Sequence, residues 1–474
     1  MKGLPIAAVL CLSCAVPAFA QTYDIVLEGG RVLDPETGLD ATRNVGIANG
    51  KIARISSEPL TGRRVLDVKG FVVAPGFVDL HQHGQDLDSG RLKAFDGVTT
   101  ALEMEIGVPD VAAFLERKQG HSLINYGTSA SHVAARALAF GAPLTEAQII
   151  PAAGPTTEQP ATGQQLAQIE SRLRRELDAG GLGVGMGIQY TPGATRQEVI
   201  RMFRLAAERR VPIFTHVRSF GRLEPGSSVE AVSEVIGAAA VSGASLQIVH
   251  INSSCISDGL ECLAMIAGAR ARGLDVSTEA YPYVAGMTYI NSALFNPGWR
   301  EKLGIDYSAV QLPGGGERLT KQRFDALRAS TTPQLVLLFK NTAQNVDAVV
   351  TNPLVMIASD GEPGHPRNAG TYSRILAHYV RGLKSLSLMD AVRKMSLMPA
   401  QRMEKATVRA CRKGRLQEGA DADIIVFDPD TATDRATYEA PRESSVGMRY
   451  VLVGGTVLID QGRLVPDVFP GKSL

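Results

Sequence analysis

Short runs of β-branched and other apolar residues lie near both ends of the chain. Residues 23–33 form one such run around a Gly-Gly pair, and residues 450–458 form a similar run around another. Such residues favour strands, and the glycines mark turns between them. Further short strands are predicted at residues 45–48, 51–55 and 423–427. We therefore predict that residues 21–74 and 400–474 pair as one small β domain.

Between these ends, residues 75–399 alternate short apolar runs with helical stretches, which is the pattern of a parallel α/β fold. The predicted strands cover residues 77–81, 99–105, 123–129, 182–188, 212–217, 246–251, 275–280 and 354–360. The predicted helices include residues 164–177, 196–209 and 260–272. Eight strand-helix units predict a (β/α)8 TIM-type barrel. The alternative, an open doubly wound sheet, is less favoured because no Gly-rich phosphate loop opens its first helix.

The seventh and eighth predicted strands are separated by about seventy residues, which include a Pro-Gly-Gly-Gly segment at 313–316. This connection is too long for a simple crossover between parallel strands. We predict an insertion in the barrel near residues 285–353.

The first twenty residues have the features of a secretory signal peptide. Lys2 is their only charge, an apolar run follows at residues 4–16, and Ala18-Phe19-Ala20 provides a small-residue cleavage site. The mature chain is predicted to begin near Gln21 and to be periplasmic or secreted. No apolar run after Gln21 approaches the roughly 20 residues that span a bilayer, so no membrane span is predicted.

The charge balance narrows the classes of partner. The chain has 49 Lys and Arg residues and 48 Asp and Glu residues, so removal of Lys2 leaves 48 of each and a net charge of zero. That balance does not favour nucleic acid or an anionic membrane, and it leaves a small-molecule substrate as the expected partner. The oligomeric state stays open, with a homo-oligomer as one option. Three cysteines remain after the signal, Cys255, Cys262 and Cys411, too few for a disulfide framework.

Two predicted strands end in residues that can bind a metal. His81 and His83 end the first strand, and alternation along a strand places both imidazoles on the same face. Glu103 and Glu105 share a face of the second strand, where the neighbouring residues indicate burial. A buried carboxylate must be paired, protonated or bound to a cation. Taken alone, a pair of satisfied or exposed histidines is the more frequent explanation of His81 and His83, and salt bridges at the barrel rim would explain the glutamates; a metal site requires further ligands.

Three further strands end in similar residues. His216 ends the fifth strand, His250 the sixth and Asp360 the eighth. Each alone has a structural explanation, since either histidine could be a core residue and Asp360 could cap the turn at Gly361. The carboxyl ends of barrel strands meet at one face, where such barrels place their active sites. The combined pattern therefore predicts a metal site at that face.

These motifs resemble the amidohydrolase superfamily of metal-dependent hydrolases, which combine such a barrel with a β-sandwich made from both chain ends. The resemblance rests on Pro75-Gly-Phe-Val-Asp-Leu-His-Gln-His83, Thr215-His216, His250 and Ser359-Asp360. Further motifs resemble the D-aminoacylase (N-acyl-D-amino-acid deacylase) branch. They are Gly97-Val-Thr-Thr100, Tyr281-Pro-Tyr283, His365-Pro-Arg367, Gly370-Thr371, His378-Tyr-Val-Arg381, Gly414-Arg-Leu416 and Gly419-Ala-Asp-Ala-Asp423. The resemblance implies one or two divalent metal ions per chain, with zinc favoured.

The chain departs from the branch pattern at the bridging ligand. The branch has a cysteine after Gly-Val-Thr-Thr, and other superfamily members have a carboxylated lysine on the fourth strand, but neither residue is present here. Glu105 is the first candidate for the bridge and Glu103 the second. Asn252 also replaces a lysine common in the branch, and Met287 replaces a serine. The last two changes affect the expected substrate pocket rather than the chemistry.

The resemblance implies a hydrolase of carbon–nitrogen bonds other than peptide bonds, which cleaves N-acyl amino acids, the D forms being favoured. Metal-activated water is the expected nucleophile, and Asp360, also a metal ligand, is the expected proton carrier. The residues expected to hold the substrate carboxylate are Tyr190, Arg218, Tyr281, Tyr283 and Arg374. Surface salt bridges or aromatic packing would explain these five equally well.

Two other functions stay open. A dipeptidase or a cyclic-amide hydrolase of the same superfamily would use the same metal site on another acyl group. A secreted barrel that binds a metal or ligand without turnover is the non-enzymatic alternative. Asp360 argues against the latter, because binding alone needs no proton carrier.

Overall fold

A computed structural model describes residues 22–145 and 148–474, so the predicted signal peptide at residues 1–20 lies outside the described residues. Its centre is a sheet of eight parallel strands that follow one another in chain order. The strands are Phe77–Asp79, Val98–Val108, Asn125–Ser131, Val184–Gly187, Ile213–His216, Leu246–Ile248, Val276–Ala280 and Val355–Ile357. Backbone pairing of Gln82 with Gly361 joins the first strand to the eighth. The predicted (β/α)8 barrel is thereby confirmed, because the open sheet would require a reversal of strand order.

Helices surround these strands. They are Leu87–Phe95, Val111–Lys118, His132–Ala139, Gly163–Asp178, Arg196–Arg209, Ser228–Ser242, Ile251–Cys255, Gly259–Ala271, Arg367–Arg374, Leu388–Val392 and Met398–Met403, with a short helix at Pro155–Glu158. In Arg196–Arg209 the buried apolar face includes Val199, Met202 and Phe203, at helical spacing. The Thr195 side chain caps its first turn by accepting a hydrogen bond from the Glu198 N–H. Among the described residues, no helix is both long and apolar enough to cross a membrane.

The second barrel strand is buried over its whole length. All eleven residues of Val98–Val108 are buried, because helices cover the outside of the barrel and side chains from the strands fill its inside. Glu103 and Glu105 lie in this strand, and each is 2% exposed. Both side chains must therefore find partners inside the protein.

Strands from both chain ends form a separate nine-stranded sheet. They are Thr22–Asp34, Leu39–Ala48, Lys51–Ser56, Thr61–Asp67, Val72–Pro75, Ile424–Phe427, Met448–Val453, Thr456–Asp460 and Arg463–Leu464. The two ends meet where Val72–Pro75 pairs antiparallel with Ile424–Phe427. Leu27, Val45 and Leu452 pack in one hydrophobic cluster drawn from both ends. The predicted β domain of both termini is thus present.

A small antiparallel sheet lies between the seventh and eighth barrel strands. Its strands are Ala285–Tyr289, Val310–Gln311 and Leu335–Phe339, with the last one central. The accompanying helices are Trp299–Leu303, Lys321–Arg328 and Ala343–Val350. The long connection that the sequence indicated is therefore a folded unit.

The structure pairs two of the three remaining cysteines. A disulfide joins Cys255 to Cys262, and Cys411 is a free, exposed thiol. The bond ties the short helix after His250 to the helix Gly259–Ala271. The cysteine count alone did not predict this single bridge.

Candidate metal centre

Five barrel strands place side chains that could bind a metal ion at one face of the barrel. All of these side chains lie in, or immediately after, the carboxyl end of a strand. They are His81, His83, Glu105, His216, His250 and Asp360. The structure thus brings together every residue that the sequence analysis proposed as a metal ligand, apart from the alternative Glu103.

Glu105 lies between two pairs of histidines. Its Oε2 atom is 3.1 Å from His81 Nε2 and 3.2 Å from His83 Nε2. Its Oε1 atom is 2.6 Å from His216 Nδ1 and 2.9 Å from His250 Nε2. One carboxylate therefore links two groups of ligands, which is the position expected of a bridge between two cations.

Within each pair, two histidine nitrogens lie at hydrogen-bond distance, but the ring protons are too few to satisfy every contact of the cluster. His81 Nε2 is 3.2 Å from His83 Nε2, and His216 Nδ1 is 3.1 Å from His250 Nε2. A neutral imidazole has one donor and one acceptor nitrogen, so at most one proton can be shared in each pair while the Glu105 oxygens also need donors. Convergent imidazole and carboxylate atoms are the ligand set of zinc and similar divalent ions. The donor set therefore fits a divalent cation in each group.

Asp360 adjoins the first group. Its Oδ1 atom is 3.5 Å from His81 Nε2, 3.4 Å from His83 Nε2 and 2.7 Å from Arg367 Nη2. The Asp360 backbone has φ of +50° and that of His250 has φ of +31°, which is the left-handed region. Non-glycine residues in this region cost free energy that surrounding contacts must offset, and such residues concentrate at functional sites.

Two further carboxylates contact His81 and His83 at the ring nitrogens that face away from Glu105. Glu279 Oε1 lies 2.7 Å from His81 Nδ1, and Glu279 Oε2 accepts a hydrogen bond from Gln247 Nε2 at 2.8 Å. Glu103 Oε2 lies 2.6 Å from His83 Nδ1. Such contacts fix the histidine tautomer so that the other ring nitrogen is free to bind a metal ion. Glu103 therefore supports His83 and does not lie between the two groups, which favours Glu105 as the bridge.

Electrostatics at the cluster reflect its crowded charges. Burial alone lowers the pKa of His81, but Glu105 and Asp360 raise it to about 10. Burial and the neighbouring His216 lower the pKa of His250 to about 4. Burial alone would raise the pKa of Glu105. The effect of His81 and His216 is larger, and it holds the pKa of Glu105 well below its ordinary value. The Glu105 carboxylate thus stays ionised and favours a positive charge between the histidine pairs, which a divalent cation also supplies.

A cavity opens onto the cluster. His83, Glu105, His216, His250 and Asp360 lie at its polar end. Its apolar walls include Ile150, Phe220, Met287, Leu294, Leu335 and Leu338, and several of these belong to the inserted unit. The cavity is therefore bounded by the metal-ligating cluster on one side and by the insertion on the other.

Among the residues predicted to hold substrate, Tyr190 and Tyr281 lie close to the cluster. Tyr190 lines the cavity, and its ring centroid is 4.8 Å from that of His216. The Arg367 guanidinium lies 4.6 Å from the centroid of the buried Tyr281 ring. Arg367 is 1% exposed, and its Nε and Nη1 atoms have no hydrogen-bond partner among the described residues.

The other three predicted substrate residues lie elsewhere. Arg218 pairs with Glu234 at 2.7 Å and lines a separate surface groove. Arg374 donates to the Pro282 carbonyl oxygen at 3.0 Å and lies 5.2 Å from the Tyr283 ring centroid. Arg374 and Tyr283 line another cavity, away from the ligand cluster. The structure does not bring Arg218, Tyr283 or Arg374 to the cavity at the cluster.

Sequence reasoning missed Glu279 and Arg367 as site residues. Glu279 sits in the strand Val276–Ala280, whose five residues are all buried, and a glutamate in such a strand is itself a signal. Arg367 belongs to the His365-Pro-Arg367 motif, which contributed to the family resemblance. Its contact with Asp360 is formed by the turn between the two residues, and the motif alone does not indicate it.

Comparisons with known proteins agree with this geometry. A family model described as "Amidohydrolase family" matches residues 64–459. The N-acyl-D-glutamate deacylase of Alcaligenes xylosoxydans xylosoxydans is 31% identical, over 96% of this chain and 97% of its own. The structure of N-acyl-D-glutamate deacylase from Bordetella bronchiseptica, complexed with zinc and a phosphonate inhibitor, is 26% identical with a TM-score of 0.80, over 96% of this chain and 100% of its own. A D-aminoacylase structure described with a binuclear metal centre is 25% identical with a TM-score of 0.81, over 95% and 99% of the two chains.

Proposed function

This chain belongs to the amidohydrolase family, and we propose that it hydrolyses the amide bond of N-acyl amino acids, in particular N-acyl-D-amino acids. The observation that carries the proposal is the position of Glu105 between two pairs of histidines, beside Asp360 and open to a cavity. The relatives with deacylase activity by name support the choice of substrate class.

We propose zinc as the metal. His81, His83 and Asp360 would hold one ion, His216 and His250 the other, and Glu105 both. Nitrogen and oxygen ligands of this kind suit zinc, and a relative's structure contains it. When bound, a divalent cation polarises the amide carbonyl and lowers the pKa of a water molecule toward neutrality.

Asp360 moves the proton in the proposed reaction. Burial alone would raise the pKa of Asp360, but Arg367 and His81 hold it far below its usual range, so the carboxylate is ionised at the start of the reaction. It takes the proton from the attacking water and gives it to the departing nitrogen when the tetrahedral intermediate collapses. Arg367 holds the Asp360 side chain in place through its 2.7 Å contact.

The test is a substrate screen with a matched inactive variant. The chain should be purified with zinc and incubated with N-acyl-D-amino acids, N-acyl-L-amino acids, dipeptides and cyclic amides. Release of free amino acid from the N-acyl compounds is expected, faster for the D forms, and is expected to be lost in Asp360→Asn. If the protein hydrolyses only dipeptides or only cyclic amides, the proposed substrate class is wrong, whereas the proposed metal centre still stands.

We also propose that the chain is exported and acts in the periplasm or outside the cell. Lys2, the apolar run and the Ala18-Phe19-Ala20 site support the proposal, as does the Cys255–Cys262 disulfide, because such bonds persist in oxidising compartments. N-terminal sequencing of natively produced protein is expected to begin near Gln21. A mature protein that retains Met1 would contradict export through this signal.

A further inference from the structure

The inserted unit places a lysine in the cavity at the metal-ligating cluster. Lys340 directly follows the central strand of the insertion, Leu335–Phe339. Its side chain lines the cavity, and the residue is only 8% exposed. Among the residues that line this cavity, Lys340 is the only lysine or arginine.

Among the described residues, no carboxylate lies within hydrogen-bond or ion-pair distance of the Lys340 ammonium group, although Asp360 and Glu105 act on it from farther away. Within residues 22–145 and 148–474, no hydrogen bond or ion pair reaches its Nζ atom; its one polar contact is with the face of the Phe220 ring, whose centroid lies 3.8 Å away. Phe220 in turn packs on the His216 ring, at a centroid distance of 5.4 Å. A buried ammonium group without an acceptor is costly, and here burial lowers the pKa of Lys340 to about 7. An anion bound in the cavity would supply the missing acceptor.

Gly286 keeps open the space beside this lysine. A Cβ atom at Gly286 would lie 3.6 Å from Lys340 Cε, 3.6 Å from Ser253 Oγ and 3.5 Å from Tyr281 Oη. Lys340, a serine hydroxyl and a tyrosine hydroxyl therefore meet around one small space that a side chain at position 286 would fill. One cation and two hydroxyl donors suit the oxygens of a carboxylate.

Asn252 does not provide this charge. Its side-chain amide donates to the Tyr281 carbonyl oxygen at 3.0 Å, and the Asn341 side chain donates to the Asn252 carbonyl oxygen at 2.6 Å. The second contact attaches the residue next to Lys340 to the barrel segment after His250. Lys340 is thereby anchored at its base while its Nζ atom stays available to a ligand.

We propose that Lys340 binds the carboxylate of the substrate's amino-acid half and so determines the preference for acylated amino acids over neutral amides. This inference rests on the proposed deacylase function. Every N-acyl amino acid carries a carboxylate one carbon from the nitrogen of the scissile amide, so a substrate whose amide is at the metals must place a negative charge close by. Lys340 is the one lysine or arginine among the residues that line the cavity.

The experiment compares a carboxylate substrate with its neutral counterpart. The kcat/KM for acetate release is measured with N-acetyl-D-alanine and with N-acetyl-D-alanine carboxamide, for the parent, Lys340→Met and Lys340→Arg. The ratio of the two values is expected to fall about tenfold to a hundredfold in Lys340→Met, mainly through KM, and to recover in part in Lys340→Arg. Lys302→Met, an exposed lysine of the same insertion, is the matched control and is expected to keep the ratio.

Thermal melting and metal content show whether each variant is folded and loaded. An unchanged ratio in a folded, metal-loaded Lys340→Met protein would overturn the inference while leaving the deacylase function in place. If the parent hydrolyses no N-acyl amino acid, the proposed function fails. Calorimetry then measures the binding of the same two compounds to Asp360→Asn with Lys340 in place and to Asp360→Asn combined with Lys340→Met. The inference is overturned if N-acetyl-D-alanine does not bind, or if it binds equally well to both proteins.

Discussion

Glu279 contacts His81 on the side of the imidazole that faces away from Glu105. The Glu279 Oε1 atom lies 2.7 Å from His81 Nδ1, while His81 Nε2 lies 3.1 Å from Glu105 Oε2. The ring is thus held between two carboxylates, both nearly inaccessible to solvent. With the proton of Nδ1 directed to Glu279, the Nε2 lone pair is free for a metal ion.

We expect Glu279→Gln to weaken metal binding without removing it. An amide oxygen can still accept from His81 Nδ1, but it lacks the negative charge that makes the ring a stronger ligand, and affinity should fall about tenfold to a hundredfold. Competition with a chelator, followed by elemental analysis, measures the change. Glu116→Gln, on an exposed helix position, is the control and should keep the parent affinity. Equal affinities for Glu279→Gln and the parent would show that Glu279 does not support the metal site.

The two glutamates of the second strand are expected to differ. Glu105→Gln removes the charge between the two histidine pairs, so the protein should lose most of its bound metal and its activity. Glu103→Gln leaves that centre intact and alters only the support of His83, so a partial loss of affinity is expected. Metal content per chain is measured for both variants. Loss of metal from Glu103→Gln with retention in Glu105→Gln would reverse the assignment.

Asp360→Asn is expected to fold and to keep most of its metal, with a loss in kcat of about 10²–10⁴. Asparagine tolerates the left-handed conformation that Asp360 adopts at φ +50°, so the backbone is preserved. The amide cannot take up the proton of the attacking water. Circular dichroism checks that the variant is folded, elemental analysis measures its metal content, and steady-state kinetics give its kcat. Activity within a few-fold of the parent would assign Asp360 a structural role only.

Asp275 should contribute to stability in a pH-dependent way. Burial alone raises its pKa, but Arg402 and Lys405 outweigh burial and lower it to about 2. Because the folded-state pKa is below the ordinary value of 3.8, the stabilisation is fully present above about pH 4 and is lost as the pH falls toward 2. Asp275→Asn is expected to lower the Tm by a few degrees at pH 7, and by less at pH 3. The side chain is 40% exposed, so the effect is modest. A constant difference in Tm from pH 7 to pH 3 would contradict this account.

Sequence reasoning located the barrel and most of the ligand cluster because both follow from local rules. Buried parallel strands are continuous apolar runs, and a histidine or carboxylate at the end of such a run stands out. His216 and His250 could thus be placed at the same face without knowledge of their neighbours. The strand Leu246–Ile248 was predicted to extend to residue 251, but the backbone turns at His250, where φ is +31°.

The parts that were missed depend on contacts between distant segments. Glu279 and His81 are separated by 198 positions, and nothing near either residue indicates their contact. Arg218 stands beside His216 in the sequence, yet its side chain points to Glu234 outside the cavity. Conversely, Lys340 lies in a segment with no recognised motif and enters the cavity only because the insertion folds back over the barrel.

The pairing of Val72–Pro75 with Ile424–Phe427 has a consequence for biosynthesis. The amino-terminal strand leaves the ribosome long before its partner, and at about 5–20 residues per second the delay is roughly twenty seconds to one minute. During that interval one edge of the nascent sheet has no partner and can pair with other chains. Products of premature termination upstream of residue 424 would keep this edge permanently, so truncation should promote aggregation even where the whole barrel has been synthesised.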